Sequence, residues 1–178
     1  MTGASRRRAV FLDRDGILNA LVTRDGLAAS PQRATDFKIL PGVAEAVARL
    51  RSLGYLVFVT SNQPDVARGL LSREDLDQMT AALRAAVPLD EVAVCPHDDA
   101  DRCTCRKPLP GMLTGLAERW SVDLAASYMV GDSWKDVEAG RAAACRTIYV
   151  GPPGQWRSPP DVVAGSLPEA VARIADGV

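Results

Sequence analysis

Four apolar residues, Ala9-Val10-Phe11-Leu12, run directly into Asp13-Arg14-Asp15-Gly16. So short and so apolar a run reads as a buried strand. Its end is unusual, because two acids and a glycine follow without a spacer. On an extended backbone residues two apart share a side, so Asp13 and Asp15 are expected to project together. Gly16 then allows a sharp turn. Two carboxylates crowded at a buried strand end repel unless a cation lies between them, and hard divalent ions such as Mg²⁺ take oxygen ligands. A strand ending in an ordinary polar turn would have the same spacing, so partners elsewhere in the chain must decide.

Further strands are predicted at residues 55–60, 92–94, 128–130 and 147–150, with an edge strand at 162–164. Helices are predicted between Pro41-Gly42 and Gly54, from a capping box at Ser72–Asp75 to about Ala86, and from Pro110-Gly111 to about Trp120. Two more follow Ser133 to about Ala144 and span Pro168 to Ala175. Residues 17–38 lack periodicity and read as a loop, with at most a short excursion. Strands alternating with helices, with no repeat and no linker, predict one doubly wound α/β domain over residues 1–178, a mostly parallel sheet with helices on both faces. Sites in such sheets gather at the carboxyl ends of the strands. Those ends carry Asp13/Asp15, Ser61/Asn62, Cys95/His97 and Asp132.

With 21 basic and 22 acidic side chains the chain has no basic excess, which argues against a nucleic-acid partner. The Arg6-Arg7-Arg8 run reads as the surface flank of the first strand. The four apolar residues before Asp13 are too few for a signal-peptide core, and no later run approaches a membrane span. A cytoplasmic protein is therefore expected, and a monomer, since no extended apolar stripe suggests assembly.

In a reducing compartment clustered cysteines point to metal rather than disulfides. Cys95-Pro-His97 and Cys103-Thr-Cys105 bring three cysteines and the only histidine into residues 95–105. Three thiolates and an imidazole make a closed tetrahedral set, usual for structural Zn²⁺. Free thiols beside a surface histidine are the alternative. With no position left open such a zinc is structural, and because Arg106 and Lys107 follow the last ligand, pinning Cys105 pins both cations. The intervening loop, with Asp98, Asp99 and Asp101, offers no large apolar residue to fold around. Cys145 stands apart and reads as a small buried residue.

Hydrolysis of a phosphomonoester would use these groups. Asp13 can attack phosphorus to give an aspartyl phosphate. Asp15 can protonate the leaving alkoxide and later deprotonate water. Asp132 can complete a Mg²⁺ shell. Ser61 and Asn62 can donate to phosphoryl oxygens, Lys107 can supply a fixed positive charge, and Arg106 can grip a second anionic or hydroxyl group.

The segments Phe11-Leu-Asp-Arg-Asp-Gly16, Ser61-Asn-Gln63, Lys107 and Gly131-Asp132-Ser-Trp-Lys-Asp136 resemble the four signature motifs of the haloacid dehalogenase superfamily phosphatases. Within it the chain is similar to a group with little or no cap, the heptose 1,7-bisphosphate and histidinol-phosphate phosphatases. Asp13-Arg-Asp-Gly-x-Leu-Asn19, Ser61-Asn-Gln-x-x-x-Ala-Arg-Gly69 and Cys105-Arg-Lys-Pro-x-Pro-Gly-Met112 carry that likeness, and residues 125–132 look most like the heptose enzymes. The resemblance implies Asp13 as nucleophile and Asp15 as proton donor and acceptor. It implies Mg²⁺ on Asp13, Asp132 and the Asp15 backbone carbonyl, and Zn²⁺ on Cys95, His97, Cys103 and Cys105. Ser61, Asn62, Gln63, Arg106 and Lys107 are implied as phosphate- and substrate-binding residues. The substrate it implies is a heptose bisphosphate losing its 7-phosphate, with histidinol phosphate or another sugar phosphate as the alternative.

Three departures concern the substrate: Leu21-Val22-Thr23-Arg24 replaces a polar recognition segment, Pro64-Asp65 replaces a Ser-Gly, and Ser133 stands where a lysine is common. Asp136 fits either a metal-bound water or the first turn of a helix, where the dipole favours acids. Arg24 and Arg68 fit either the pocket or a solvated surface, and Trp134 reads as helix packing. A polynucleotide 3′-phosphatase shares the chemistry but calls for a basic groove. A non-catalytic, zinc-stabilised binding module would have lost one of Asp13, Asp15, Lys107 or Asp132, and all four are present.

Overall fold

The structure, a computed structural model, describes residues 7–177; Arg6 of the basic run lies outside them. Its central strand is β1 (Ala9–Leu12), every residue of which is buried. The remaining elements follow in chain order: a ribbon of β2 (Val22–Arg24) and β3 (Leu27–Ala29), α1 (Val43–Ser52), β4 (Leu56–Asn62), α2 (Arg73–Ala86), β5 (Glu91–Cys95), α3 (Gly111–Trp120), β6 (Tyr128–Gly131), α4 (Trp134–Ala142), β7 (Arg146–Val150), β8 (Val162–Ala164) and α5 (Leu167–Ala175). Six strands form one sheet in the order β5-β4-β1-β6-β7-β8, and every pairing in it is parallel. Among the described residues no helix is long and apolar enough to cross a membrane.

Alternation along the strands divides the apolar residues between two cores. Val10, Leu12, Val57, Val59, Tyr128 and Val130 pack under α1 and α5 with Val47, Leu50, Val171 and Ile174. Ala9, Phe11, Phe58 and Met129 face the other way, against Leu113 and Leu116 of α3 and Ala139 and Ala143 at α4. Both faces of the sheet are covered, which is why its strands read as continuous apolar runs.

The register positions the polar residues. Leu12 lies opposite Val59 of β4 and Val130 of β6. Asp13, the residues following Val59, and Gly131-Asp132 therefore emerge together at the carboxyl edge. This crevice lies where the chain crosses from one side of β1 to the other.

The structure refines three expectations. Strand β4 runs on through Ser61 and Asn62, because these pair with Val94 and Cys95 of β5. Only half of the capping box forms at α2. The Ser72 hydroxyl accepts from the Asp75 N–H at 3.0 Å, but the Asp75 carboxylate accepts from the Ser72 hydroxyl at 2.6 Å and the Ala34 N–H at 2.8 Å rather than from the Ser72 N–H. The excursion within residues 17–38 is the antiparallel β2/β3 ribbon, whose Leu27 is 72% exposed. A ribbon buried on neither side has no reason to alternate, so its sequence carries no strand period.

Candidate active site

Asp13 leaves β1 with its N–H donating to the Val130 carbonyl at 2.9 Å. Gly16 turns the chain at φ +83°, and a Cβ there would stand 1.9 Å from Asp132 Oδ2. A side chain at Gly131 would meet Asp136 within 2.3 Å. Both glycines are thus space left for carboxylates. One oxygen each from Asp13, Asp132 and Asp136 lies within 4.8 Å of the others. Lys107, 2% exposed, donates to Asp13 Oδ1 at 2.8 Å, Asp136 Oδ1 at 2.5 Å and the Thr60 carbonyl at 2.7 Å.

Three acids against one cation leave this cluster short of positive charge. Burial, then the Asp136 and Asp132 carboxylates, push Asp13 up to about 8 despite Lys107. Burial and Asp136 likewise push Asp132 up to about 7. Burial by itself would lower Lys107, but Asp13 and Asp136 outweigh it and hold its ammonium above the usual lysine range. Crowded oxygen donors that are costly to ionise fit a hard divalent cation such as Mg²⁺. Asp136 occupies the first turn of its helix with its carboxylate turned into the site. It closes a capping box with Ser133 on α4, and it belongs to the acid cluster.

Asp15 departs from what its two-residue spacing from Asp13 predicts. Its carboxylate does not join that cluster but accepts from Arg14 Nε and Nη2 at 3.1 and 3.0 Å, Asn19 Nδ2 at 2.9 Å and Gln63 Nε2 at 2.7 Å. Arg14, the residue between the two acids, is fully buried and supplies the charge expected from an ion. The acids that meet come instead from separate strand ends.

The side chains of Asn62 and Gln63 bond to protein groups, and Asn62 also lines the cavity beside Asp13. Both ends of the Asn62 amide hold the Lys107 backbone, at 2.9 and 3.0 Å. The Gln63 amide bridges Asp15 and Ser61 Oγ, and both Ser61 and Gln63 are buried. Asn62 positions Lys107, and Gln63 positions Asp15. The residues sequence reasoning missed here are Arg14 and Asn19. Each stood inside a quoted motif, yet nothing local said that it would turn onto Asp15.

A cavity of about 490 Å³ opens above these groups. Asp13, Asp15, Asp132, Asp136 and Lys107 line its floor chemistry, Leu21, Ala28 and Ala29 an apolar side, and Arg106 and Lys135 add two further cations. Beside it, one ligand atom each of Cys95, His97, Cys103 and Cys105 lies within 4.8 Å of the others. Cys95 Sγ is 2.9 Å from Cys105 Sγ and 3.6 Å from Cys103 Sγ, and His97 Nδ1 is 3.3 Å from Cys105 Sγ. The donor set, three soft sulfurs and an imidazole, fits a tetrahedral metal.

Arg68 braces the rim rather than lining the cavity. It pairs with Asp98 at 2.8 Å and Asp65 at 3.3 Å, and Asp65 accepts from Gln32 at 2.6 Å. The residue that departs from the resembled motif, Asp65, thus ties the Cys/His loop to the segment after the ribbon. Arg24 donates to the Ser30 carbonyl, closing the ribbon. Trp134 packs under Arg157, 3.4 Å from its ring centroid. Cys145 is buried in the α3/α4 core, which pushes its thiol up to about 12.

Comparison with known proteins places this geometry. Residues 7–144 match the family model of the haloacid dehalogenase-like hydrolases. The D-glycero-beta-D-manno-heptose-1,7-bisphosphate 7-phosphatase of Rhodopseudomonas palustris is 40% identical over 155 residues, covering 79% of this chain and 81% of that one. Its counterpart from Bordetella bronchiseptica is 36% identical over 167 residues, covering 91% and 89%. The crystal structure of the D,D-heptose 1,7-bisphosphate phosphatase of B. bronchiseptica, complexed with magnesium and phosphate, superposes with a TM-score of 0.77 at 32% identity, over 96% of this chain and 99% of that chain.

Proposed function

The chain belongs to the haloacid dehalogenase-like hydrolases, and from that premise we propose that it is a Mg²⁺-dependent phosphatase removing the 7-phosphate of D-glycero-β-D-manno-heptose 1,7-bisphosphate. The observation that carries the chemistry is the buried Asp13–Lys107–Asp136 contact with Asp132 alongside. The relatives' names carry the substrate.

In this reading Asp13 attacks phosphorus in line as the bond to the C7 oxygen breaks, giving an aspartyl phosphate. Asp15, held by Arg14, Asn19 and Gln63, passes a proton to the departing alkoxide. It later takes one from the water that attacks phosphorus and frees Asp13. Asp13, Asp132 and the Asp15 backbone carbonyl would hold Mg²⁺, which when bound would supply positive charge to the transferring group. Lys107 adds a second fixed charge, Ser61 keeps its hydroxyl proton to donate, and Arg106 takes a further anionic group of the substrate.

The test is phosphate release with Mg²⁺ from both heptose 1,7-bisphosphate anomers, histidinol phosphate, hexose phosphates and a 3′-phosphorylated oligonucleotide. A large preference for the β anomer is expected. Preference for histidinol phosphate would move the chain to the other branch of the resemblance, and failure to release phosphate from any of them would overturn the reading.

We assign Zn²⁺ to Cys95, His97, Cys103 and Cys105 as a structural ion, since the four donors leave no open position. Cys103→Ser is expected to lose most bound zinc and to lower the unfolding midpoint by about 5 °C or more, with activity falling secondarily. Elemental analysis and thermal unfolding read both. Unchanged metal content would remove zinc from the account.

A further inference from the structure

The chemistry above leaves one side of the cavity without a task. Leu21, Ala28, Ala29 and Pro64 line it. Leu21 is 40% exposed and lies outside the buried cores. In the β2/β3 ribbon Thr23 lies opposite Ala28. Leu21 comes two residues before Thr23, so Leu21 and Ala28 fall on one face of the ribbon, the face turned to the cavity.

This wall is held at both ends. The Ala20 N–H donates to the Lys38 carbonyl at 2.8 Å, and Gln32 donates to Asp65, next to Pro64, at 2.6 Å. The ribbon's one basic residue, Arg24, is turned to the Ser30 carbonyl and does not line the cavity. The cations that do, Lys107, Arg106 and Lys135, come from other segments. The side chains of Leu21, Ala28, Ala29 and Pro64 can give an anion or a hydroxyl no hydrogen bond, and they gain only by covering C–H surface.

Whether a sugar ring offers such a surface depends on its anomer. Take a manno-configured heptopyranose in the chair that keeps its side chain equatorial. In the β anomer the hydrogens on C1, C3 and C5 are all axial on one side, and the 1-phosphate is equatorial. In the α anomer the 1-phosphate takes the axial position on that same side. A phosphate placed there against the wall would lose water and find no donor among the four side chains.

We propose that the ribbon wall packs on the C1, C3 and C5 hydrogens of the ring, and that Leu21 is the specificity-determining residue by which this chain takes the β anomer and rejects the α. The proposal rests on the phosphatase reading and names how that site selects its substrate. It also gives a use to Leu21, the first residue of the segment that departs from the resembled polar one.

Leu21→Ser and Leu21→Met, compared with the wild type for phosphate release from the α and β 1,7-bisphosphates, test it. Leu21→Ser is expected to lower the β-to-α ratio of kcat/KM about tenfold. Leu21→Met keeps an apolar surface of similar size and should keep most of the ratio. The unfolding midpoint of Leu21→Ser should stay within about 2 °C of the wild type, because the residue lies outside the cores. A larger fall would make Leu21 a structural residue and overturn its assignment. An unchanged ratio in Leu21→Ser, equal losses on both anomers, or a Leu21→Met as impaired as Leu21→Ser would each overturn the proposal and leave the phosphatase reading standing. A wild type that treats the anomers alike or prefers the α overturns the proposal and the β assignment together, with the phosphatase chemistry intact. If the wild type releases phosphate from neither, that chemistry falls and the proposal with it.

Discussion

Asp13→Asn is expected to abolish phosphate release, with kcat falling by at least about 10⁴-fold, because an amide can neither attack phosphorus nor leave again as a carboxylate. Single-turnover assays would show no phosphoenzyme, while zinc content and the far-UV spectrum stay those of the wild type. Retained turnover would remove Asp13 as nucleophile.

The same substitution has a second expected effect, on stability. Asp13 moves from 3.8 to about 8, through burial first and the neighbouring acids after it. A carboxyl group raised in this way costs stability once pH exceeds its unfolded value, and the cost grows until pH reaches the folded one. Metal-free wild type should therefore lose stability between about pH 4 and pH 8, with Asp132, raised to about 7, acting in the same sense. In Asp13→Asn the Asp13 part of that slope disappears. Mg²⁺ needs the ionised carboxylates, so its binding should release protons and tighten as pH rises through 7 to 8. Unfolding midpoints across this range, with and without Mg²⁺, separate the two contributions. A metal-free wild type equally stable at pH 5 and pH 8 would contradict the charge shortage inferred at the site.

Lys107→Met is expected to be the most destabilising single change at the site, by about 3–5 kcal/mol at neutral pH in the metal-free protein. Methionine fills much of the space but leaves Asp13 and Asp136 buried without their cation and the Thr60 carbonyl without its donor. For a chain of this length that corresponds to a fall of roughly 10 °C in unfolding midpoint. Lowering the pH, so that Asp13 takes up a proton, should restore part of it. The lysine's own contribution has the opposite dependence: its ammonium is held above the usual range, so the stability it brings is full at neutral pH and is lost only in strong alkali. Denaturant unfolding measures the loss directly. A variant as stable as the wild type would mean that the acids find another cation. Phosphate release should fall as well, since Lys107 is placed to neutralise the transferring group.

Much of the protein was legible in one dimension. Apolar runs and their stops marked β1, β4, β6 and β7, and Pro-Gly starts marked α1 and α3. Closely spaced Cys and His residues placed a four-donor set within residues 95–105. These are local properties. A strand's burial, a helix's apolar face and a ligand pair one residue apart all follow from a few neighbouring residues and from fixed backbone periods. The alternation of elements also implied the carboxyl edge of the sheet as the place of the site.

What spacing could not decide was which charged groups meet there. Sequence proximity suggested that Asp13 and Asp15 share a cation, yet Asp13 meets Asp132 and Asp136 while Asp15 turns to Arg14. Asn62 and Gln63, read as phosphate donors, hold Lys107 and Asp15 in place. Arg106 and Lys135, twenty-nine positions apart in the numbering, enter one cavity only because α4 begins beside the Cys/His loop. A buried charge takes its partner from whatever the packed sheet brings within about 3–4 Å, and the alternative is a desolvation cost of several kcal/mol. That choice is made through space after the strands are in register. It leaves almost no trace in the order of the residues.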